Sequence, residues 1–353
     1  MPPVEAVRRV VALQAQEPAS PYLALWARLA GFEAAAMDDA FATRRLVKAS
    51  LMRITLHAVH EDDYPAFHAA MATTLRRARL GDPRFTVSGL SPADADALLP
   101  DLVAFATEPR SKAELHGHLD ERTGGVAEPT WWAFRTFAPL HHHSTGAPWS
   151  FGRQPAFVAA HTGAHDGTDD EAARHLARRY LEGFGPASAK DLNQFAMLGV
   201  PVARAAMEAL GEDLVRFEGP DGGTLYDLRG APLPDEAVSA PPRLLPMWDS
   251  TLLAYADRSR LIPEAYRRRV IRSNGDTLPT LLVDGLVAGV WRPVEGGIEA
   301  SAFHPLPGDA WAGLEAEARS LIAFLAPREP AVYGRYRRWW PAEGAAEVRV
   351  LPG

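Results

Sequence analysis

The 353 residues of the chain exceed the usual size of one hydrophobic core, so we expect two or three domains. Hydrophobic residues make up 47% and charged residues 23%, as in ordinary soluble proteins, and the lack of cysteine excludes disulfides, thiolate metal sites and cysteine nucleophiles. The net charge of −7 counts against a nucleic-acid-binding domain, which more often carries a basic excess. No apolar run approaches the ~18 residues that cross a bilayer, and no basic, apolar leader opens the chain, so we expect a cytoplasmic protein.

The first predicted elements are short helices followed by a hairpin. Apolar spacing from Val4 to Phe41 predicts two or three short helices, and residues 46–50 and 52–59 predict strands. Helices followed by a hairpin indicate a winged helix, which we assign to residues 1–100.

Two amide side chains lie inside this first unit. Gln14 and Gln16 are one residue apart and precede Pro18, which disfavours helix at Glu17, so we expect the preceding helix to unwind at about Gln14. In an extended segment the two amides share a face. A pair of neutral amides can hold a water molecule and offer carbonyl oxygens to a developing positive charge, but it cannot protonate a leaving group. The alternatives are a helix end in which both amides satisfy backbone groups, and Glu17 as the water activator.

A second unit of the same kind is predicted at residues 101–170. A helix through residues 102–105 precedes a turn, and Ser111 is placed to cap the helix that follows. Residues 149–152 are the candidate wing strand.

The third unit, residues 171–230, has the clearest pattern. Residues 171–184 are amphipathic, Ser188 precedes a second helix, and residues 202–210 form a third. Residues 214–217 and 224–228 flank a Gly-rich turn and predict a hairpin.

The last unit, residues 243–353, follows a Pro-rich linker at residues 231–242 and differs in character. Strands are predicted at 280–283 and 287–291, joined by a turn at Asp284-Gly285, and a helix is predicted at 311–325. We expect a small β-barrel or sheet with a terminal helix.

Two further patterns concern ligands. Contiguous His141, His142 and His143 alternate their faces in an extended stretch, so we expect a polar wing or loop and no metal site. The arginines that we take as candidate phosphate contacts lie on the first hairpin and in one later segment, and the alternative for each is an ordinary solvated face. They are Arg53, Arg258, Arg260, Arg267, Arg268 and Arg269.

Four separated segments resemble the AlkZ-like DNA glycosylase family, whose members excise alkylated bases. They are Gln14-Ala15-Gln16 with residues 22–29, Met52-Arg53-Ile54-Thr55-Leu56-His57, residues 180–187, and Asp257-Arg258-Ser259-Arg260 with Val283-Asp284-Gly285. The family's catalytic signature is glutamine, an aliphatic residue and glutamine, and Gln14 and Gln16 occupy those two positions. Members generally carry a further helix before this motif, and we expect the shorter start here to weaken the first winged helix.

The resemblance implies an α+β fold of tandem winged-helix motifs with a C-terminal β-barrel-like domain in a C-shaped arrangement. It implies a monomeric, monofunctional glycosylase that needs no cofactor and whose partner is double-stranded DNA carrying alkylated purines or cross-links. A guanine alkylated at its seventh nitrogen is already cationic, so its departure needs no general acid, and the glutamine pair suits that task. The alternatives are a non-catalytic winged-helix DNA-binding or regulatory protein, and a paralogue that binds lesions without cleaving them.

Overall fold

The computed structural model describes residues 1–146, 148–235, 237–340 and 344–352, which form a mixed α/β protein. The helices are α1 (Pro3–Arg9), α2 (Ser20–Trp26), α3 (Ala34–Ala42), α4 (Tyr64–Leu80), α5 (Pro83–Thr86), α6 (Pro92–Phe105), α7 (Lys112–Thr123), α8 (Ala127–Phe137), α9 (Asp169–Phe184), α10 (Ala189–Ala196), α11 (Val200–Glu208), α12 (Ser250–Leu253), α13 (Arg267–Val270) and α14 (Gly308–Leu325). The strands are β1 (Leu13–Gln14), β2 (Leu46–Ser50), β3 (Leu56–His60), β4 (Arg110–Ser111), β5 (Leu140–His143), β6 (Ala156–Ala159), β7 (Leu214–Glu218), β8 (Thr224–Leu228), β9 (Arg243–Leu245), β10 (Thr280–Val283), β11 (Leu286–Val294), β12 (Gly297–Ala302) and β13 (Glu347–Pro352).

The chain divides into two compact units. Unit one contains residues 1–16 and 33–231, and unit two contains residues 17–32 and 232–353. The finer division that we predicted, into winged-helix units at 1–100, 101–170 and 171–230 and a barrel at 243–353, stays a prediction.

Unit one is built around a six-stranded antiparallel sheet. Its strand order is β1-β3-β2-β5-β6-β4, and a separate hairpin pairs β7 with β8. The helix α9 packs against α4 and α11 because its apolar residues recur at helical spacing. Tyr180 and Phe184 on that face pack at a tilt against Phe195 of α10, with ring centroids 5.2 and 5.5 Å from it, so one aromatic cluster joins two helices.

Helix starts in unit one follow the capping signals of the sequence. Ser111 accepts a hydrogen bond from the backbone of Glu114, and Ser188 accepts one from Asp191; both acidic side chains bond back to the cap. The structure therefore confirms Ser111 as the predicted N-cap and confirms the helix predicted after Ser188.

Two strand predictions in unit one differ from the structure, one in its first residues and one entirely. Residues 52–54 form a 3-10 turn, so the second strand of the first hairpin begins at Leu56. Residues 149–152 are not a strand, because Ser150 has a left-handed φ of 62° and its hydroxyl donates to Asp38 at 2.9 Å. The strands in this region are β5, which contains the three histidines that we expected in a wing or loop, and β6.

Unit two contains a five-stranded antiparallel sheet in the order β13-β12-β11-β10-β9. No described strand joins β13 to β9, so the sheet is open; of the two forms that we expected, a small β-barrel or a sheet, the described strands form a sheet. Trp291 lies buried in β11 and donates its indole N–H to the carbonyl of Leu245 on β9 at 2.8 Å. The helix α14 packs on β9, β12 and β13. In the part of the chain that the structure describes, no helix combines the length and apolarity that crossing a membrane requires.

Candidate active site

Gln14 lies on a short strand of unit one. The helix α1 ends at Arg9, earlier than we predicted, and Val11 turns the chain with a left-handed φ of 67°. The following strand β1 pairs antiparallel with β3, which places Gln14 opposite His57, and the pairing continues as Ala15 N–H donates to the Leu56 carbonyl at 2.8 Å. The first glutamine is therefore held by sheet hydrogen bonds.

The two glutamines differ in exposure. Gln16 is exposed, whereas Gln14 keeps only 6% of its surface in contact with solvent. The carbonyl oxygen of Gln14, Oε1, is buried and has no hydrogen-bond partner among the described residues. A buried acceptor without a donor costs about 1–3 kcal/mol. This atom is suited to a donor that comes from outside the protein, such as water, or to a developing positive charge.

His57 lies opposite Gln14 on the neighbouring strand, and Arg53 contacts His57. Arg53 lies in the turn between β2 and β3, donates from Nη1 to the carbonyl of Phe195 at 2.6 Å, and contacts His57 Nε2 through Nη2 at 3.1 Å. The other ring nitrogen of His57, Nδ1, lies 3.0 Å from the carbonyl oxygen of Thr55. Burial and the adjacent Arg53 charge lower the pKa of His57 to about 3, against the opposing effect of the Thr55 hydrogen bond, so the ring is neutral near pH 7.

The turn that carries Arg53 has a strained backbone. Arg53 and Ile54 have φ values of 53° and 59°, in the left-handed region that β-branched residues avoid. Such a residue costs on the order of 1–3 kcal/mol and persists where surrounding contacts impose it. Here those contacts are the bonds of Arg53 to Phe195 and His57.

Glu17 belongs to unit two. Its carboxylate accepts a hydrogen bond from the Tyr336 hydroxyl at 3.1 Å and forms an ion pair with Arg335. These contacts fix the carboxylate as a structural acceptor. An accessory role in activating water stays a prediction.

The candidate phosphate contacts of unit two fall into two groups. Arg258 donates to the carbonyl of Leu252 at 2.7 Å, and Arg269 donates to that of Gly344 at 2.5 Å and lies 3.7 Å from the ring centroid of Phe303. Both side chains are half-buried and hold the local backbone. The remaining candidates are exposed at the surface, which suits contact with DNA; they are Arg260, Arg267 and Arg268.

The histidines of β5 do not converge with other ligands. His141 is buried edge-on against Tyr64, with ring centroids 4.3 Å apart, and burial with the nearby His161 lowers its pKa to about 3. Within the described ranges no group of three or more His, Cys, Asp or Glu side chains is placed to hold a metal ion.

Sequence reasoning identified Gln14, Gln16 and Arg53 but missed His57 as part of the same cluster. His57 lies in one of the family segments, but a histidine in a strand pattern does not indicate which side chains its ring nitrogens contact. Its pairing with Gln14 depends on the register of β1 against β3, which spans more than forty residues of sequence.

Comparison with known proteins places the chain in a family. A family model described as "DNA glycosylase AlkZ-like" matches residues 7–324. An interstrand DNA cross-link repair glycosylase of Streptomyces sahachiroi is 25% identical over 324 residues, which cover 85% of this chain and 84% of that protein. The solved structure of Streptomyces sahachiroi DNA glycosylase AlkZ has the same fold, with a TM-score of 0.77 at 22% identity over 94% of this chain and 93% of that one. The chain therefore belongs to the AlkZ-like DNA glycosylase family and is a DNA glycosylase, a hydrolase that acts on N-glycosyl bonds.

Proposed function

We propose that the protein is a monofunctional glycosylase that releases cationic alkylpurines, chiefly guanine alkylated at its seventh nitrogen, and that it unhooks interstrand DNA cross-links. The observation that carries this proposal is the buried, unpartnered carbonyl oxygen of Gln14, two residues from the exposed Gln16. The name of the related Streptomyces sahachiroi protein supports the cross-link part of the proposal.

The chemistry suits two uncharged amides. When the glycosidic bond breaks, positive charge develops on the deoxyribose, and a carbonyl oxygen in a buried setting stabilises that charge more strongly than water does. One carboxamide orients the attacking water and the other supports the cationic sugar. Neither can protonate a base, so the substrate must already be a good leaving group, as an N7-alkylated guanine is.

The residues near Gln14 are consistent with these roles for the two amides. His57 is neutral near pH 7 and therefore cannot act as a general acid there. A lysine nucleophile at the Gln14-Ala15-Gln16 segment is absent from the sequence, which supports hydrolysis to an abasic site and not lyase chemistry.

The partner is double-stranded DNA that carries alkylated purines or cross-links. A base tethered to the opposite strand is hard to flip fully into a tight pocket, so recognition depends on the backbone. The exposed Arg260, Arg267 and Arg268 supply phosphate contacts, which set affinity more than base preference. A tandem winged-helix, C-shaped, monomeric protein is the architecture that we propose for this task.

The test is base release from duplex DNA with one defined lesion. We expect the wild-type protein to convert an N7-methylguanine site into a heat- or alkali-labile abasic site, and to release one strand of a duplex cross-linked between two guanine N7 atoms. Gln14→Ala and Gln16→Ala should lose this activity and still bind DNA, whereas Gln154→Ala, at an exposed glutamine of unit one, should behave as wild type. Sequence-selective binding without base release would instead identify a regulatory protein.

A further inference from the structure

The carbonyl oxygen of Gln14 lacks a hydrogen-bond donor among the described residues, although a histidine lies opposite it. His57 faces Gln14 across the β1–β3 pair. Directly opposite residues of an antiparallel pair have Cβ atoms about 4.5–5.5 Å apart, close enough for their side chains to interact. Gln14 Oε1 nevertheless has no hydrogen-bond partner in the described part of the chain.

The hydrogen-bonding capacity of His57 is already used. A neutral imidazole has one N–H donor and one acceptor nitrogen. Arginine can only donate, so the contact of Arg53 with Nε2 makes that nitrogen the acceptor and places the hydrogen on Nδ1, which donates to the carbonyl of Thr55. Arg53 is itself anchored on the carbonyl of Phe195. Both nitrogens of His57 are thus occupied by partners other than Gln14.

We propose that His57 is a positioning residue, held by Arg53 so that it neither donates to nor accepts from the Gln14 amide. The Gln14 carbonyl oxygen is then left without an internal donor and stays available to the attacking water or the cationic sugar. This inference rests on the catalytic role proposed above for Gln14. It gives Arg53 a role inside the protein that is separate from any contact with DNA.

The charge state of His57 supports the same role. A protonated His57 would carry a hydrogen on Nε2 as well, so this nitrogen would stop accepting from Arg53 and become a donor on the residue opposite Gln14. It would also add a positive charge beside a sugar that is becoming cationic. Burial and the Arg53 charge keep the pKa of His57 at about 3, so this state is not populated near pH 7. The other charged groups on the elements packed against β3 are directed elsewhere: Glu5 and Arg9 to solvent, Arg8 to Asp62 and Asp63, and Lys48 to the ring of Phe151.

The variant Arg53→Met tests the proposal. It removes the donor to Nε2 and the charge that helps to lower the pKa of His57, so His57 becomes free to bond to Gln14. We expect release of 7-methylguanine, measured as a single turnover with enzyme in excess, to slow by about tenfold to a hundredfold. The rate should also fall as the pH decreases through the raised pKa of His57, while the wild-type rate stays level between about pH 5 and 8.

The double variant Arg53→Met/His57→Phe is the matched control, because it lacks the group that titrates. The rate of the double variant should not depend on pH, whereas the rate of Arg53→Met should fall at low pH. A merely structural role of Arg53 would not predict this difference between the two variants. An Arg53→Met protein with the wild-type rate and a level profile would overturn the proposal. A wild-type protein that releases no base would contradict the proposed function itself, so the two failures are distinguishable.

Nitrogen NMR of the wild-type protein tests the proposed tautomer and charge state of His57 without any variant. We expect the ¹⁵N shifts of His57 to show a neutral ring with hydrogen on Nδ1 that does not titrate down to about pH 5. Hydrogen on Nε2, or titration close to the ordinary value of about 6.5, would overturn the proposal.

Discussion

Replacing Gln14 by methionine should make the protein more stable and remove its activity. The carbonyl oxygen of Gln14 is buried without a partner, and such a group costs about 1–3 kcal/mol of folding free energy. Methionine has a similar length and no branch, so it fills the same space with little cavity or overpacking. We therefore expect the free energy of unfolding of unit one to rise by about 1 kcal/mol, the lower end of that range.

The stability change is measurable by calorimetry at pH 7. For a domain of 150–250 residues, 1 kcal/mol shifts the thermal midpoint by about 2–4 °C, so the midpoint of unit one should rise by that amount. Release of 7-methylguanine should fall by about 10²–10³, the usual effect of losing one preorganised electrostatic group. Gln154→Met, at an exposed position, should change neither quantity. A lower midpoint for Gln14→Met would refute the reasoning, because it would mean that the oxygen has a partner in the folded protein.

Three other predictions follow from ionic contacts. Burial raises the pKa of Asp63, but its hydrogen bond with His175 and the charges of Arg179, His175 and Arg8 together lower it below the ordinary value. The resulting stabilisation is therefore present above about pH 4 and is lost as the pH falls through the folded pKa. Asp63→Asn should cost about 2–3 kcal/mol at pH 7, and its thermal midpoint should approach that of wild type only as the pH falls below about 4 and through the folded pKa of Asp63. Arg28 binds the buried Asp249 carboxylate through two hydrogen bonds of 2.7 and 2.8 Å, and Arg28→Met leaves that carboxylate without this partner. The thermal midpoint of unit two should therefore fall by an amount equivalent to about 3–5 kcal/mol. An unchanged midpoint would contradict the pairing. Arg268→Ala should lower the slope of log affinity for duplex DNA against log salt by about 0.9, and an unchanged slope would remove Arg268 from the phosphate contacts.

Local signals in the sequence predicted the elements whose stabilising contacts are local. The capping residues Ser111 and Ser188 mark helix starts because their partners lie three residues away. The hairpin of β7 and β8 was predicted from its turn, where Gly222 adopts a φ of 75°. The helix at 311–325 was predicted from the spacing of its apolar residues, and α14 confirms it.

The errors concern residues whose conformation depends on distant parts of the chain. β5 forms because β6 and β2 pair with it, whereas its three histidines had predicted a polar wing or loop. The turn at Arg53 interrupts a continuous strand pattern because the arginine bonds to Phe195, far away in sequence. The strand β13 was not predicted, because it pairs with β12 across more than forty residues of sequence.

The candidate site was likewise predicted only in those features that local sequence determines. Gln14 and Gln16 were identified from their spacing and from a family resemblance, and the family itself is confirmed. The burial of Gln14, its free carbonyl oxygen and the neutral His57 beside it are tertiary properties that no local pattern encodes.

The central claim is that uncharged amides act on a base that is ready to leave. The most direct measurement compares single-turnover release of cationic 7-methylguanine and of neutral hypoxanthine from duplexes of the same sequence at pH 7. Since neither glutamine can protonate a base, we expect release of 7-methylguanine and no measurable release of hypoxanthine. Comparable rates for the two bases would show that the protein supplies a proton to the leaving group, and would contradict the account.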